Sequence, residues 1–362
     1  MADHDAPSEP EPAAGRVGAS RRRDEVRPPA GATPQATPSS LGAHSVVYLV
    51  GTALQGLGVL LVLPFATRLL GPAEFGRVAT GLVVVQMVGT LAAAGLPQVI
   101  LREHHRGAEG PRAARALAGT MILLALALAV LGLLSGDVLL TRWLVGASEA
   151  GEYQVALQIG NIPFVLAVAL FNAWGPLVLS RPTQDRWAWT RRSGTALLSV
   201  VVVGAGLVAG TSYWISYVLA GPDFEIAAIG STAALLTLVS VIYMLYQGSS
   251  LAVLDSERTG WLAAGALAGL AVMVALAVAL APVGSIMGVA LAKIAGYLTL
   301  TVVTVVAGRR DLRWPKQAWL ALGVAVVATA LSLNPVSGVV AVVLMLVGAV
   351  VVGPTALRVL RR

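Results

Sequence analysis

The chain has 362 residues, of which 57% are hydrophobic and only 12% are charged. Soluble domains carry about 25% charged residues, so this composition excludes a water-soluble domain. The chain has no cysteine, which excludes disulfides, thiolate metal sites and cysteine nucleophiles. Its few histidines form no metal-binding pattern, and it has no phosphate-binding loop or serine-hydrolase motif. We therefore expect no cofactor, no metal and no enzymatic activity.

Residues 1–42 differ in composition from the rest of the chain. They are rich in Pro, Ala, Ser, Glu and Arg and lack apolar periodicity, which is typical of a disordered segment. The basic residues Arg21, Arg22 and Arg23 lie too far from the first apolar block to begin a signal peptide. We interpret them as a contact with anionic membrane lipids. This segment is therefore predicted to be a disordered cytoplasmic tail.

The remaining chain is built from apolar blocks close to the length of about 20 residues that a helix needs to cross a membrane. Gly, Ser, Thr and single amides interrupt the blocks, where a soluble helix would show a polar face. Asn334 and Pro335 form a turn between the last two blocks, because Pro cannot continue a helix interior. The pattern predicts an all-α, polytopic transmembrane helical bundle of about ten spans: 45–65, 78–101, 113–134, 153–179, 194–219, 226–252, 261–281, 285–306, 317–333 and 336–357.

The distribution of Lys and Arg tests this topology, because cytoplasmic segments of membrane proteins are enriched in both. With the N-terminus inside and the spans alternating, the inner segments hold 21 of the 25 Lys and Arg residues. Only Arg68, Arg77 and Arg142 fall in outer loops, and Lys293 lies within a span. We predict a multi-pass protein of the cytoplasmic membrane with both termini in the cytoplasm. The net charge of +7 reflects this topology, so we expect no nucleic-acid partner.

A weak internal repeat has the pattern Leu-x-Gly-x-x-Glu-x-Gly. Its copies start at Leu69 and Leu144, 75 residues apart, and both are predicted to lie in outer loops. Repeats of the same sense in transporters are related by an axis along the membrane normal, with the substrate path between the halves. The alternative is a common interfacial turn, in which Gly adopts a positive φ and Glu caps the next helix.

Several segments around this repeat carry a family resemblance. They are Arg-Leu-Leu-Gly-Pro-Ala-Glu-Phe-Gly at 68–76, Ala-Gly-Leu-Pro-Gln at 94–98, residues 136–152, Pro-Leu-Val-Leu-Ser-Arg at 176–181 and Ala-Gly-Pro-Asp-Phe at 220–224. In their order, they resemble the polysaccharide-exporter branch of the multidrug/oligosaccharidyl-lipid/polysaccharide (MOP) flippase superfamily. The resemblance implies a flippase that moves a lipid-linked oligosaccharide or polysaccharide precursor across the cytoplasmic membrane for cell-surface polysaccharide biosynthesis.

The chain departs from the two equal six-helix lobes that this resemblance implies. We predict two unequal lobes of a MOP-like fold: a shortened N-terminal lobe at 43–134 and a C-terminal lobe at 135–316, followed by a helical hairpin and basic tail at 317–362. The shortened lobe keeps two alternatives open, a homodimer and a non-transporting scaffold of a glycan-assembly complex. A cation-coupled multidrug antiporter is a further alternative. It would need a carboxylate within a span, and the predicted spans place none at mid-depth.

A glycan with phosphate groups needs cationic and amide partners inside the hydrocarbon, where unsatisfied polar groups cost several kcal/mol. Lys293 lies about halfway along an apolar span, although it could also snorkel to an interface or pair with a helix carbonyl. Gln158 and Asn161 share a predicted helix face beside Pro163, which should kink that helix. The candidate substrate-binding residues are Lys293, Gln158, Asn161, Gln86, Gln55, Arg102 and Arg181.

The amides have an alternative role as interhelical hydrogen-bond partners. The aromatic residues are predicted to form a belt at the membrane interface, with a sugar-stacking wall as the alternative. The expected partners are a lipid-linked glycan and membrane lipids, with glycan-assembly proteins or a second copy of the chain as alternatives. The aromatic residues concerned are Tyr213, Trp214, Tyr217, Tyr243 and Tyr246.

Overall fold

The computed structural model describes residues 60–85, 136–256 and 258–361, together with positions 58 and 132. Every regular element in these ranges is an α-helix, which confirms the predicted all-α class. The predicted tail at 1–42, all of the span at 113–134 except position 132 and parts of the spans at 45–65 and 78–101 lie outside the described residues.

The described ranges contain ten helices. The first two are α1 at 60–85 and α2 at 136–144. The next four are α3 (Ala147–Gly160), α4 (Ile162–Ser180), α5 (Thr183–Leu219) and α6 (Ile226–Asp255). The last four are α7 (Gly260–Val283), α8 (Ser285–Gly308), α9 (Lys316–Leu331) and α10 (Pro335–Arg361).

Five of these helices, α4 to α8, are long and apolar enough to cross a membrane, with mean hydropathies between 1.9 and 2.5 in their most apolar windows. The helix α6 is central, because 72% of its window is buried, against 28% to 50% in the other four. Outer helices expose large apolar side chains, for example Val283 and Leu320. In water such a surface would be unfavourable, whereas lipid solvates it. The chain is therefore a multi-pass membrane protein.

Two interruptions of the helices position the interior residues. The predicted span at 153–179 consists of α3 and α4 on either side of Asn161, with Pro163 in the first turn of α4. Asn161 keeps right-handed helical φ and ψ angles, its N–H donates to the Leu157 carbonyl oxygen, and its own carbonyl oxygen accepts from the Val165 N–H, so the interruption beside Pro163 is local and the helical path continues. At the second position, Ser285 adopts φ 50° and separates α7 from α8.

The helices α7 and α8 form an antiparallel hairpin with close backbone contacts. A Cβ on Gly288 would lie 2.5 Å from the Leu280 carbonyl oxygen, and one on Gly269 would lie 2.6 Å from that of Gly296. Small residues allow membrane helices to approach to this distance. The hairpin therefore carries residues of α8 into the bundle on a rigid support.

A similar contact joins α5 to α10 and gives a first prediction. A Cβ on Gly210 would lie 2.7 Å from the Gly338 carbonyl oxygen, so Gly210→Ala must push α10 away. We expect the variant to lose about 1–3 kcal/mol of stability, as overpacked sites do, and to show a lower Tm in detergent. Gly348→Ala on α10 is the control, because a Cβ there meets nothing within 4 Å. Equal Tm values for Gly210→Ala and the parent would contradict this packing.

Candidate functional site: a buried charge cluster

Three residues from separate helices meet at one carboxylate in the interior. Lys293 Nζ on α8 donates a hydrogen bond to Asp137 Oδ2 on α2 at 2.7 Å. The Tyr153 hydroxyl on α3 donates to the same oxygen at 2.5 Å. The side chains of Lys293 and Asp137 are 3% and 0% exposed, and Tyr153 is fully buried. We call these three residues the buried charge cluster.

The cluster lies well inside the helices that carry it. Asp137 precedes the helix break at Gly146 by two and a half turns, and Lys293 follows the break at Ser285 by a little over two turns. At 1.5 Å per residue, these separations are about 12–14 Å along the helix axis. Snorkelling of Lys293 and a purely carbonyl partner are therefore both wrong, because its ammonium pairs with a carboxylate inside the bundle.

The prediction that the spans contain no interior carboxylate is wrong, because Asp137 is buried inside the bundle. The span before it was predicted to end at 134, which placed Asp137 in a terminal position, but α2 continues to residue 144. The repeat contained the missing signal. Helix α1 runs up to Gly71 in the first copy, so the equivalent apolar stretch before Gly146 should also be helical.

The electrostatics of the cluster follow from its burial. Moving an isolated charge out of water costs several kcal/mol, which an opposite charge and added hydrogen bonds can offset. Asp137 Oδ2 receives both donors, while Oδ1 is buried without a hydrogen-bond partner among the described residues. The Asp137 carboxylate thus stabilises the ammonium of Lys293 in the interior. A phosphate oxygen could take the place of that carboxylate as the hydrogen-bond acceptor.

An aromatic cluster lies next to these charges. The ring centroids of Phe164 and Tyr243 are 4.5 Å apart, those of Tyr243 and Tyr246 5.7 Å, and those of Tyr243 and Tyr297 6.3 Å. Gln247 Nε2 donates to the Tyr243 hydroxyl at 2.9 Å. We call these five residues the interior aromatic cluster. Tyr297 follows Lys293 by one helical turn, which places the cluster beside the stored ammonium.

The aromatic-belt prediction divides accordingly. It is wrong for Tyr243 and Tyr246, because α6 is the central helix and turns them towards α4 and α8. Trp214 and Tyr217, at the end of α5, are 57% and 69% exposed. That is the position at the edge of a span where belt residues lie.

The other candidate residues are not part of the buried charge cluster. Gln158 and Asn161 are half-buried, and the helical backbone at Asn161 keeps them three residues apart on one side of the helix, as predicted. Arg181 is exposed, with its guanidinium 4.7 Å from the ring centre of Trp189. Gln55, Gln86 and Arg102 lie outside the described residues. Substrate binding by all these residues stays a prediction.

Two apolar cavities accompany the bundle. One of about 350 Å³ is lined by residues of α2 and α7, including Trp143 and Met273. Another of about 200 Å³ lies beside α6, α8 and α9, including Ile242 and Trp319. Neither includes a residue of the buried charge cluster. The described part of the chain also holds no group of His, Asp and Glu side chains that could bind a metal ion.

The multi-pass helices, the internal repeat and the buried charges define a class of polytopic α-helical membrane protein. Residues 41–135 match the model of the polysaccharide biosynthesis protein family, which belongs to the MOP flippase superfamily. This match agrees with the predicted resemblance over about a quarter of the chain and includes the first copy of the repeat. The comparisons with curated proteins and with solved structures find no match. The chain is thus a multi-pass membrane protein that is similar, over residues 41–135, to the polysaccharide biosynthesis protein family.

Proposed function

We propose that this protein is a flippase that carries a lipid-linked, phosphate-bearing oligosaccharide from the cytoplasmic to the outer leaflet. The observation that carries the proposal is the buried ammonium of Lys293, held by Asp137 inside the helical bundle. Ionisable residues inside membrane helices are costly and commonly belong to a transport path. The family match adds the link to polysaccharide synthesis.

The mechanism is an exchange of anionic partners. In the resting state the Asp137 carboxylate neutralises Lys293, so no uncompensated charge faces hydrocarbon. An arriving phosphate takes the place of that carboxylate on the ammonium, and Asp137 retains the Tyr153 hydroxyl as its donor. When the phosphate leaves, the ion pair closes again. Lys293 thereby lowers the cost of moving a phosphate through the bundle without a covalent step.

The interior aromatic cluster would bind the sugar of the substrate. Aromatic rings pack against the apolar faces of sugars, and hydroxyl and amide groups satisfy the sugar hydroxyls. Tyr243, Tyr246 and Gln247 supply these groups one turn or less apart on α6. Tyr297 on α8 links them to Lys293. A phosphate at Lys293 would therefore place the adjoining sugar against these rings.

The scaffold alternative has one observation in its favour. Lys293 is only 3% exposed, so the described state is closed around it. A scaffold would keep this state permanently, whereas a flippase must open it. A cation-coupled antiporter would need a buried carboxylate, and Asp137 is one that the predicted spans did not include. However, Oδ2 of Asp137 already accepts a hydrogen bond from Lys293.

The test uses the fact that the chain contains only two lysines, Lys293 and Lys316. Cells deleted for this protein are complemented with the parent, Lys293→Ala, Lys293→Arg or the exposed control Lys316→Ala. We expect Lys293→Ala to abolish surface polysaccharide while its lipid-linked precursor accumulates inside, and Lys316→Ala to complement fully. Lys293→Arg should retain part of the activity, because it keeps the charge.

Two outcomes would reject the proposal. Loss of the precursor itself in deleted cells would indicate a scaffold that supports glycan assembly. Full complementation by Lys293→Ala, with equal protein in the membrane, would remove Lys293 from the transport path.

A further inference from the structure

The two copies of the internal repeat contact each other directly. A Cβ on Gly76 would lie 1.9 Å from the Ala147 carbonyl oxygen, and one on Gly151 would lie 2.1 Å from that of Pro72. Gly76 and Gly151 are equivalent positions, as are Pro72 and Ala147, so the contact is reciprocal. Only glycine permits backbones to approach this closely. The two repeat copies therefore pack against each other through equivalent residues.

The breaks that precede these glycines are also matched. Gly71 has φ 65° and Gly146 has φ 150°, both in the region that favours glycine. The first copy is consequently a bend within the helix α1, so the prediction of a loop between two spans is wrong at this position. The second copy is a short break between α2 and α3. After each bend, the helical segment that follows runs towards the other repeat copy.

Further contacts close the same end of the bundle. Thr67 Oγ1 donates to the Leu219 carbonyl oxygen at 2.7 Å, joining α1 to the end of α5. The rings of Phe75 and Phe224 meet edge to face with centroids 6.4 Å apart. Both rings are buried. The first copy therefore seals against α3 and against the turn between α5 and α6.

The sealed end is mechanically linked to the buried charge cluster. Gly151 and Tyr153 lie on the same turn of α3, and Tyr153 donates across the break to Asp137 on α2. This hydrogen bond ties α3 to α2 within one turn of Gly151, which faces Gly76. The other carboxylate oxygen of Asp137, Oδ1, is buried without a hydrogen-bond partner among the described residues.

We propose that the reciprocal Gly76–Gly151 contact is the outer gate of the path, and that Tyr153 couples this gate to the Asp137–Lys293 pair. The inference rests on the proposed flippase function. Separation of the two repeat copies opens the outer end. A change of partner at Lys293 reaches the gate through the Tyr153 hydrogen bond.

The test measures access of an impermeant maleimide to a cysteine beneath the gate, in intact cells without added substrate. The chain has no cysteine of its own, so Val155→Cys, fully buried one turn below Gly151, is a unique reporter. We expect Gly76→Ala to raise its labelling rate about tenfold or more, because the clash with backbone forces the copies apart. Gly81→Ala on the same helix is the matched control, since a Cβ there meets nothing within 4 Å.

Tyr153→Phe tests the coupling. It keeps the ring and removes only the donor to Asp137, and we expect it to raise Val155→Cys labelling several-fold with Gly76 intact. Unchanged labelling in Tyr153→Phe would overturn the coupling, and equal labelling in Gly76→Ala and Gly81→Ala would overturn the gate.

Two further reporters separate gate opening from other effects. Asp223→Cys, exposed in the turn between α5 and α6, must label in every background, which shows that this end faces the medium. Ser212→Cys, buried on α5 about two turns from the same outer end, must stay unlabelled, which shows that the bundle away from the gate is folded in the variants. If the reporters behave as expected while Lys293→Ala complements fully, the gate is supported and the proposed role of Lys293 is rejected. If the reporters do not behave as expected while Lys293→Ala fails to complement, only the gate is rejected.

Discussion

Asp137→Ala is expected to destabilise the folded protein by about 3–5 kcal/mol, because it leaves a buried ammonium without its carboxylate. The effect should be among the largest of any single substitution in the described helices. In the same assay, Lys293→Met leaves the Tyr153 hydroxyl as a hydrogen-bond donor to Asp137. We therefore expect it to lower the stability of the folded protein by less than Asp137→Ala does. The measurement is denaturant or thermal unfolding of purified protein in one detergent.

The double variant Asp137→Leu/Lys293→Met separates stability from function. Replacing a buried ion pair by apolar residues of similar volume is commonly neutral or stabilising, so the double variant should regain most of the stability lost by Asp137→Ala. It should nevertheless fail to produce surface polysaccharide, because the ammonium is missing. With the single variants Asp137→Leu and Lys293→Met the double-mutant cycle is closed, and a coupling energy near zero would show that the two groups do not stabilise each other. Normal polysaccharide from the double variant would make the pair structural only.

The sequence predicts the parts of this molecule that depend on local chemistry. Span lengths follow from the bilayer thickness, and Lys293 is identified because a charge inside an apolar span has few inexpensive locations. Pro163 likewise predicts a local interruption of the helix from its own covalent structure. These inferences need no knowledge of which helices are neighbours.

What the sequence does not predict depends on tertiary neighbours. Asp137 is 156 residues from Lys293, and no periodic pattern links them. Tyr243 and Tyr246 have the composition of an interfacial belt, and only the central place of α6 makes them interior. The same holds for the repeat, whose eight-residue pattern predicts a turn but does not state that its two turns touch.

Locking α1 to α5 beside the outer gate should abolish transport completely, because α1 carries the first repeat copy and must move for the gate to open. Arg68 and Val218 are both exposed, and the Arg68 side chain donates to the Val218 carbonyl oxygen at 2.9 Å, so the two positions lie within reach of a cross-linker across the seal between α1 and α5. In the Arg68→Cys/Val218→Cys variant, a short reducible bifunctional thiol reagent should stop the appearance of newly labelled polysaccharide at the cell surface. Reduction should restore it.

The control for this lock is a cross-link of the same chemistry within one helix. Glu74 and Arg77 are exposed and form an ion pair on α1, and Glu74→Cys/Arg77→Cys joins no two helices. Its cross-linked form should transport normally, as should each single-cysteine variant treated with the reagent. A gate that must open in every cycle cannot tolerate the first cross-link, whereas a permanently closed scaffold would be unaffected by it. Continued polysaccharide export by fully cross-linked Arg68→Cys/Val218→Cys protein would therefore contradict opening at this end.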